Sequence, residues 1–325
     1  MTAIDLSSLP ADVVAALRRA FPDGPLEGLE LLSGGMSQAM LLAFRAGDQA
    51  YVLRRGVKER AATAAACMRI AGELGVGPRL VHVDEGSGFC IMHRVPGAPL
   101  RRDPGLAEGR LERVARALRA LHDGPAFPGF TPLAETIAFF EGVSRQLSGE
   151  GLPQEIVAAL ERVAPLLAPF AAQAPCHRDL NPNNILETAD RVFFVDWEMA
   201  GQGDPYVDLG QLGVFAFSAP ADREALLAAY LGRAPTTDER ARAILARVVA
   251  LAVYALAFRN VQMQVGERLP AGTEAPKLAE LFAALAALRE KMSPGRLALA
   301  LQREVRELVA SPEFADAAAR FATPH

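Results

Sequence analysis

The sequence contains few cysteines and no surplus of basic residues. Its three cysteines are far apart and form no Cys-x-x-Cys pair, so they indicate neither a zinc site nor a disulfide framework: Cys67, Cys90 and Cys176. The formal net charge of the 325 residues is −4, whereas domains that bind nucleic acids are usually basic. We therefore expect a cytoplasmic protein that binds no nucleic acid.

Long hydrophobic runs are also missing. The longest strongly apolar run, Val248 to Phe258, is shorter than the roughly 20 residues that a helix needs to cross a bilayer. Met1 to Pro10 has no basic residue followed by an apolar run, which argues against a secretory signal. The run from Val248 to Phe258 is therefore predicted to be a buried core helix, and no membrane partner is expected.

Short hydrophobic runs separated by turns fill the first 95 residues. This pattern predicts a small antiparallel sheet. The predicted strands are Leu29–Leu32, Met40–Arg45, Tyr51–Arg55, Leu80–Val83 and Phe89–Val95. Two helices are predicted beside them, an amphipathic one over Leu9–Phe21 and an alanine-rich one over Glu59–Leu74, which ends at Gly75.

Beyond a predicted linker at Pro96-Gly97-Ala98-Pro99 the pattern is mostly helical. The predicted helices are Leu106–His122, Leu133–Leu147, Gln154–Ala171, Ala221–Leu231, Asp238–Gln264, Ala275–Met292 and Leu297–Val309. A hairpin interrupts them, with strands at Ile185–Glu187 and Val192–Val195. We therefore predict an α+β fold with a sheet lobe over residues 1–95 and a helical lobe over residues 96–325.

The residues that indicate a chemical function lie in the stretch from His177 to Asp196. Asp179 lies in a polar loop, Asn184 follows five residues later, and the hairpin returns the chain to the same edge at Asp196. Phosphoryl transfer needs one carboxylate to orient the acceptor hydroxyl and take its proton, and further oxygen ligands to hold Mg²⁺ on the nucleotide phosphates. Asp179 suits the first task, whereas Asn184 and Asp196 suit the second. The alternative is a surface loop in which Asp196 caps a helix.

Three motifs around this loop carry a resemblance to a known family. They are His177-Arg178-Asp179-Leu180-Asn181-Pro182-Asn183-Asn184-Ile185-Leu186, Val195-Asp196-Trp197-Glu198 and Asp204-Pro205-Tyr206-Val207-Asp208-Leu209. The first is the His-Arg-Asp…Asn pattern of kinase catalytic loops. From Leu31 to Leu209 the chain resembles the aminoglycoside phosphotransferase / choline kinase superfamily, and it is most similar to the LicA-like choline/ethanolamine kinase and thiamine kinase branch.

This resemblance implies a protein-kinase-like fold with two lobes and an enzyme that transfers a phosphoryl group from ATP, with Mg²⁺, to the hydroxyl group of a small molecule. It implies that Asp179 is the catalytic base and that Asn184 and Asp196 are the magnesium ligands. Arg178 would either stabilise charge on the transferring phosphoryl group or brace the loop, and both roles stay open. The Trp-Glu pair after Asp196 and the short segment that follows it disfavour a protein kinase.

Three parts of the small lobe are expected to contact the nucleotide. The turn Ser33-Gly34-Gly35-Met36-Ser37 can cover phosphates with backbone N–H groups, although a Gly-Gly turn is often only a turn. In the choline kinase branch an arginine often binds phosphate at the end of the third strand, which favours Arg54 over Arg55; a solvated arginine pair is the alternative. The segment Met92-His93-Arg94-Val95 would offer adenine a backbone N–H and a C=O.

The acidic partner of Arg54 departs from the family pattern. In that pattern a glutamate of the next helix pairs with the basic residue, but the expected position falls near Ala64. Glu59 and Glu73, at the two ends of the predicted helix, are the available substitutes. We select Glu59, although either residue can equally be a surface charge.

The acceptor is the least specified part of this prediction. The resemblance favours an amino alcohol such as choline or ethanolamine, with an aminoglycoside or thiamine as alternatives. Choline kinases hold a cationic headgroup with aromatic faces and carboxylates. The candidates are Trp197, Tyr206, Tyr254, Phe258 and the acidic Glu198, although aromatic residues on helices are more often part of a core. A catalytically silent nucleotide-binding module is the alternative from another class. For the oligomeric state, a monomer and a homodimer both stay open.

Overall fold

The computed structural model describes residues 2–3, 5–32, 40–56, 58–84, 88–100, 109–270, 272–287 and 292–322, with residues 2, 3 and 59 described by their backbone alone. Contacts along the chain divide it into two compact units. The first unit comprises residues 1–101, 116–129 and 174–202. The second unit comprises residues 102–115, 130–173 and 203–325.

A six-stranded antiparallel sheet with the strand order β1-β2-β3-β4-β6-β5 dominates the first unit. Its strands are β1 (Thr2–Ala3), β2 (Leu26–Leu31), β3 (Met40–Ala46), β4 (Gln49–Arg55), β5 (Leu80–Asp84) and β6 (Phe89–His93). The five predicted strands are confirmed, and β1 is a short addition that pairs with β2. The turn between β3 and β4 contains Gly47 with a φ of +59°, a left-handed conformation that glycine adopts at little cost.

The hydrophobic core of the first unit lies between this sheet and α1 (Ala11–Ala20). Leu17 of α1 joins a cluster that includes Leu42 of β3 and Leu53 of β4. Because successive side chains of a strand point to opposite faces, Arg54 faces away from this cluster. There it lines a small cavity together with alanines of α2 (Ala61–Glu73), and this second face carries the candidate site.

Five short strands lie within or beside the stretch from His177 to Asp196. They are β7 (Ala98–Pro99), β8 (Ala174–Cys176), β9 (Ile185–Glu187), β10 (Val192–Phe194) and β11 (Gly201–Gly203). β9 and β10 form the predicted hairpin, β7 adds to its edge, and β8 pairs with β11. The loop 177–184 connects β8 to β9, and a 3₁₀ turn over Trp197–Met199 follows β10. The two small sheets thus fix both ends of the segment.

The second unit consists mainly of helices, which are α4 (Leu133–Ser148), α5 (Gln154–Leu167), α6 (Pro205–Phe215), α7 (Pro220–Leu231), α8 (Thr237–Gln264), α9 (Leu278–Ala286), α10 (Pro294–Val309) and α11 (Pro312–Ala322). The residues of α3 (Arg110–His122) are divided between the two units. Helices α4, α5, α6, α10 and α11 all pack against α8. Helix α8 is therefore the central element of this unit.

Helix α8 has 28 residues and is apolar enough to cross a membrane by length and composition alone. Within its most apolar stretch of 18 residues, however, 67% is buried inside the structure. Val248, Leu251 and Ala255 have no exposed surface and belong to the hydrophobic cluster of the second unit. The prediction of a core helix over Val248 to Phe258 is therefore confirmed.

Some helices differ from their prediction. The sequence pattern does not predict α6, which is buried along almost its whole length and so lacks the polar face of an amphipathic helix. It also omits α11, although Pro312 is typical of a first helical turn. The helix predicted over Ala275–Met292 is wrong in extent, because α9 begins only after Pro276, which has no N–H and restricts the residue before it. Residues 288–291 lie outside the described residues.

Candidate active site

The candidate site lies in the first unit and is bounded by two residues with unusual backbone conformations. Among the described residues other than glycine, only Arg178 (φ +66°) and Asp196 (φ +67°) have positive φ values. Such conformations cost free energy and are common at functional sites. They turn the backbone sharply beside Asp179 and again before Trp197.

Two amide side chains hold the Asp179 carboxylate. Asn181 Nδ2 donates to Asp179 Oδ1 over 3.2 Å, and Asn184 Nδ2 donates to Asp179 Oδ2 over 2.9 Å. Asn184 Nδ2 also donates to the backbone oxygen of Asp179 over 3.0 Å. The carboxylate is therefore oriented by its own loop and remains only partly buried.

His177 holds the loop 177–184 in place through both of its ring nitrogens. Its ring has no exposed surface, and Nε2 lies 2.9 Å from the carbonyl oxygen of Val195, so Nε2 carries the proton. Nδ1 is then free to accept the N–H of Asp179 over 3.3 Å. The imidazole also packs on Trp197, with 4.6 Å between the ring centroids. His177 thus ties the loop to the strand that leads to Asp196.

Two oxygen atoms at the site have no hydrogen-bond partner among the described residues. Both contacts of the Asn184 amide are acceptors, so its nitrogen faces Asp179 and its Oδ1 points away from them. Asp196 uses Oδ1 for its hydrogen bond to Arg54, and its Oδ2 has no partner in the described part of the chain. An amide oxygen and a carboxylate oxygen are ligands that suit a hard cation such as Mg²⁺.

The electrostatics of Asp196 also favour a cation. Burial is the largest cause that raises the pKa of Asp196, and repulsion by Glu198 and Asp179 raises it further. The positive charge of Arg54 acts in the opposite direction and does not cancel these effects. Asp196 and Glu198 share the guanidinium of Arg54, and Asp179 adds negative charge beside them, so additional positive charge at this place would stabilise the ionised form of Asp196.

Arg54 is the buried basic residue of the site. Its side chain is 8% exposed, whereas that of Arg55 is 47% exposed and pairs with Asp12 over 3.1 Å. Arg54 Nη2 donates to Asp196 Oδ1 over 2.7 Å, and Nη1 donates to Glu198 Oε1 over 2.6 Å. The structure thus places Arg54, rather than its neighbour, beside the candidate metal ligands.

Sequence reasoning did not identify Glu198 as the partner of Arg54. The side chain of Glu59 lies outside the described residues, and Glu73 is exposed at the far end of α2. The available sequence signal was indirect: the helix offers an alanine at the expected position, so the partner had to come from elsewhere in the chain. Glu198 stands two residues after Asp196, but this spacing alone does not identify it as that partner.

The other predicted nucleotide contacts are placed as follows. Ser33, Gly34, Gly35 and Ser37 lie outside the described residues. Met92 is buried in β6, and the N–H groups of His93 and Arg94 donate to the backbone oxygens of Arg79 and Ala50. Among the described residues the N–H of Val95 has no partner, which makes it the remaining backbone donor for adenine in this segment.

The remaining candidates divide between the site and the core. The guanidinium of Arg178 lies beside Gly201, with its Nη1 3.8 Å from the place that a Cβ of Gly201 would take. Trp197 is 1% exposed and packs edge-on against Phe127. The other aromatic candidates for the acceptor pocket are also buried: Tyr206, Tyr254 and Phe258. These four aromatic residues therefore form core contacts and no open aromatic cage.

The sequence matches a known protein family and, over shorter stretches, individual proteins. Residues 28–245 match a family described as "Phosphotransferase enzyme family". Protein LicA of Haemophilus influenzae is 50% identical over 38 residues, which are 12% of this chain and 14% of that protein. Viomycin phosphotransferase of Streptomyces vinaceus is 32% identical over 146 residues, covering 38% of this chain and 49% of that protein. The chain thus spans less than half of the length of each relative.

Solved structures match nearly the whole chain. The crystal structure of a choline/ethanolamine kinase family protein from Mesorhizobium loti is 27% identical, with a TM-score of 0.65, covering 97% of this chain and 95% of that one. A structure of LicA in complex with AMP is 15% identical, with a TM-score of 0.65, covering 90% of this chain and 98% of that one. At 15% identity the second likeness shows the fold alone. The predicted kinase-like α+β fold is confirmed.

Proposed function

We infer that this chain, which belongs to the phosphotransferase enzyme family, is a kinase that acts on a small-molecule hydroxyl group, and we propose that its acceptor is an amino alcohol such as choline or ethanolamine. The likeness to a choline/ethanolamine kinase family protein along almost the whole chain supports this acceptor. The shorter likeness to viomycin phosphotransferase favours the main alternative, an antibiotic acceptor. A thiamine-type kinase is the third possibility within the family.

The geometry of Asp179 is the observation that carries the proposed reaction. Its carboxylate is held by Asn181 and Asn184 on a loop that His177 anchors, so it is oriented before any substrate binds. We assign Asp179 the role of orienting the acceptor hydroxyl and accepting its proton as the oxygen bonds to the γ-phosphorus of ATP and the bond to the leaving ADP oxygen breaks. A carboxylate that is already oriented lowers the entropic part of the barrier.

The unpartnered oxygens described above fit a magnesium ion. Asn184 and Asp196 would hold it, and when bound it would neutralise charge on the nucleotide phosphates. Arg54 contributes a second positive charge from the protein itself, since a guanidinium binds phosphate oxygens through two parallel hydrogen bonds. Because the chain offers both ligands for a metal ion and a guanidinium for the phosphates, we disfavour the alternative of a catalytically silent nucleotide-binding module.

The role of Asp179 is tested by Asp179→Ala. We expect kcat to fall by about 10²–10⁴-fold, because the substitution removes the base and the group that orients the acceptor. Asp190→Ala is the matched control, since Asp190 is an exposed aspartate in the turn between β9 and β10. An Asp179→Ala enzyme that keeps most of its turnover would exclude this role.

The acceptor is tested by measuring magnesium-dependent ATP consumption with choline, ethanolamine, thiamine, homoserine, viomycin and aminoglycosides. Mass spectrometry should show the phosphorylated acceptor, and Asp179→Ala should abolish it. The proposal requires the highest kcat/KM with choline or ethanolamine. A higher kcat/KM with an antibiotic or with thiamine would show that this compound, and not an amino alcohol, is the acceptor. The proposed reaction class would still stand.

A further inference from the structure

Arg54 needs a carboxylate partner, because burying an unpaired guanidinium strongly destabilises the folded state. The helix on its side of the sheet does not supply one within its described residues. Helix α2 lines the cavity beside Arg54 with Ala61, Ala64, Ala65 and Met68. Alanine side chains accept no hydrogen bond, and the methionine sulfur is a weak acceptor. The side of α2 that faces Arg54 is therefore apolar.

Glu198 supplies the carboxylate from the 3₁₀ turn after β10. It lines the same cavity as Ala64 and Ala65, and its Oε1 is 2.6 Å from Arg54 Nη1. Burial lowers the pKa of Arg54, but the hydrogen bond to Glu198 and the charges of Asp196 and Glu198 outweigh burial and raise it above its usual value. The guanidinium therefore stays charged although it is almost fully buried.

The backbone leaves room for this ion pair at one position. A Cβ on Gly56 would lie 2.6 Å from both Arg54 Nη1 and Glu198 Oε1, which is well inside ordinary van der Waals contact. Gly56 is not among the glycines with positive φ, so what it contributes is space for the ends of these two side chains and not an unusual conformation. The glycine and the alanines of α2 shape one compartment around the Arg54–Glu198 pair.

We propose that Glu198 is a positioning residue that holds Arg54 for the nucleotide phosphates, in place of the glutamate that the family pattern expects in the helix. This inference rests on the proposed function, because it assigns Arg54 to the phosphates. Asp196 and Glu198 bind different nitrogens of Arg54. Arg54 therefore keeps its hydrogen bond to Glu198 when Asp196 binds a cation.

A double-mutant cycle with Mg²⁺ and ADP tests the pairing. We expect Glu198→Gln to raise the Kd of ADP by about tenfold to a hundredfold, the effect of losing a charged hydrogen-bond partner. Arg54→Met should cause a similar loss, and adding Glu198→Gln to it should cause little more, since the two residues act as one unit. Additive losses would overturn the proposal, and so would ADP binding to Glu198→Gln with the wild-type Kd. Glu73→Gln, on the exposed end of α2, is the matched control.

Moving the carboxylate is a second test. In Glu198→Ala the space beside Arg54 grows, and Ala64→Glu in that background returns a carboxylate from the helix. We expect the combined variant to bind ADP at least about tenfold tighter than Glu198→Ala alone, the value of one charged hydrogen bond. If the combined variant has the wild-type Tm but binds ADP no better than Glu198→Ala does, a carboxylate on the helix cannot replace Glu198. That result would overturn the proposal.

The two proposals fail in different ways. If the wild type binds ADP and shows the non-additive cycle but phosphorylates none of the acceptors, the proposed acceptor is wrong and the role of Glu198 stands. If the wild type phosphorylates an acceptor and the cycle is additive, the role of Glu198 is wrong and the function stands. ADP binding is independent of the acceptor and keeps these results separate.

Discussion

Asn184 illustrates at the residue scale how one amide can serve two purposes. Its nitrogen satisfies the backbone oxygen and the carboxylate of Asp179 at 3.0 and 2.9 Å, which leaves its oxygen for a cation. An aspartate would offer the cation more charge, but it would repel Asp179 and donate nothing to it. An alanine would release the Asp179 carboxylate altogether. An amide is thus the side chain that meets both demands.

Asn184→Ala is therefore expected to lower kcat at least about tenfold, the value of a hydrogen bond to a charged group. Asn183 is the matched control, because it is an exposed asparagine of the same loop, and Asn183→Ala should keep the wild-type rate. Steady-state kinetics at saturating ATP, with circular dichroism to verify folding, measures the difference. Equal rates for the two variants would contradict the role of Asn184.

Still at the residue scale, the sequence allowed the local part of the site to be predicted. Asp179, Asn184 and Asp196 lie within one loop and hairpin, so their spacing alone brings them together. The Arg54–Glu198 contact joins residues 144 positions apart, and no local pattern encodes such a pairing. The helix position that lacks a glutamate showed only that a partner had to come from elsewhere.

At the scale of elements, alternating strands were predictable and the almost fully buried helix α6 was not. The strands of the main sheet appear where period-two patterns occur, and α8 appears where the apolar run is longest. Helix α6 is buried on every side except near Val207, so its sequence has no polar stripe to reveal a helical period. Two glycines within helices make this packing testable: Gly142 in α4 and Gly210 in α6.

Gly210→Ala and Gly142→Ala should change stability in opposite directions. A Cβ on Gly210 would lie 3.2 Å from the backbone oxygen of Ala246 and from the Cβ of Ala250, so α6 and α8 would have to move apart. We expect a loss of about 1–2 kcal/mol, since overpacking outweighs the better helix propensity of alanine. At Gly142 nothing lies within 4 Å, and alanine should add up to about 1 kcal/mol. Thermal unfolding measures both, and a lower Tm for Gly142→Ala would contradict this prediction.

At the scale of the whole molecule, each unit has its own hydrophobic cluster. The cluster of the first unit includes Leu17 and Phe44, and that of the second includes Leu160, Val248 and Leu301. The described residues of the candidate site, from Arg54 to Glu198, all belong to the first unit. A ligand stabilises the conformation that binds it by RT ln(1 + [L]/Kd). The stabilisation from a nucleotide should therefore arise in the first unit.

Hydrogen exchange followed by mass spectrometry can detect where that stabilisation acts. With Mg²⁺ and ADP at about 100 times Kd, we expect amides of β4, β9 and β10 to exchange up to about 100-fold more slowly, because about 2.7 kcal/mol of binding free energy opposes their opening. Amides of α10 and α11 should exchange at their ligand-free rates, and Arg54→Met should remove the protection of β4. Equal protection of α10 and α11 would mean that both units open in one cooperative step. The added free energy would then belong to the whole chain, and the division into two separately stabilised units would be wrong.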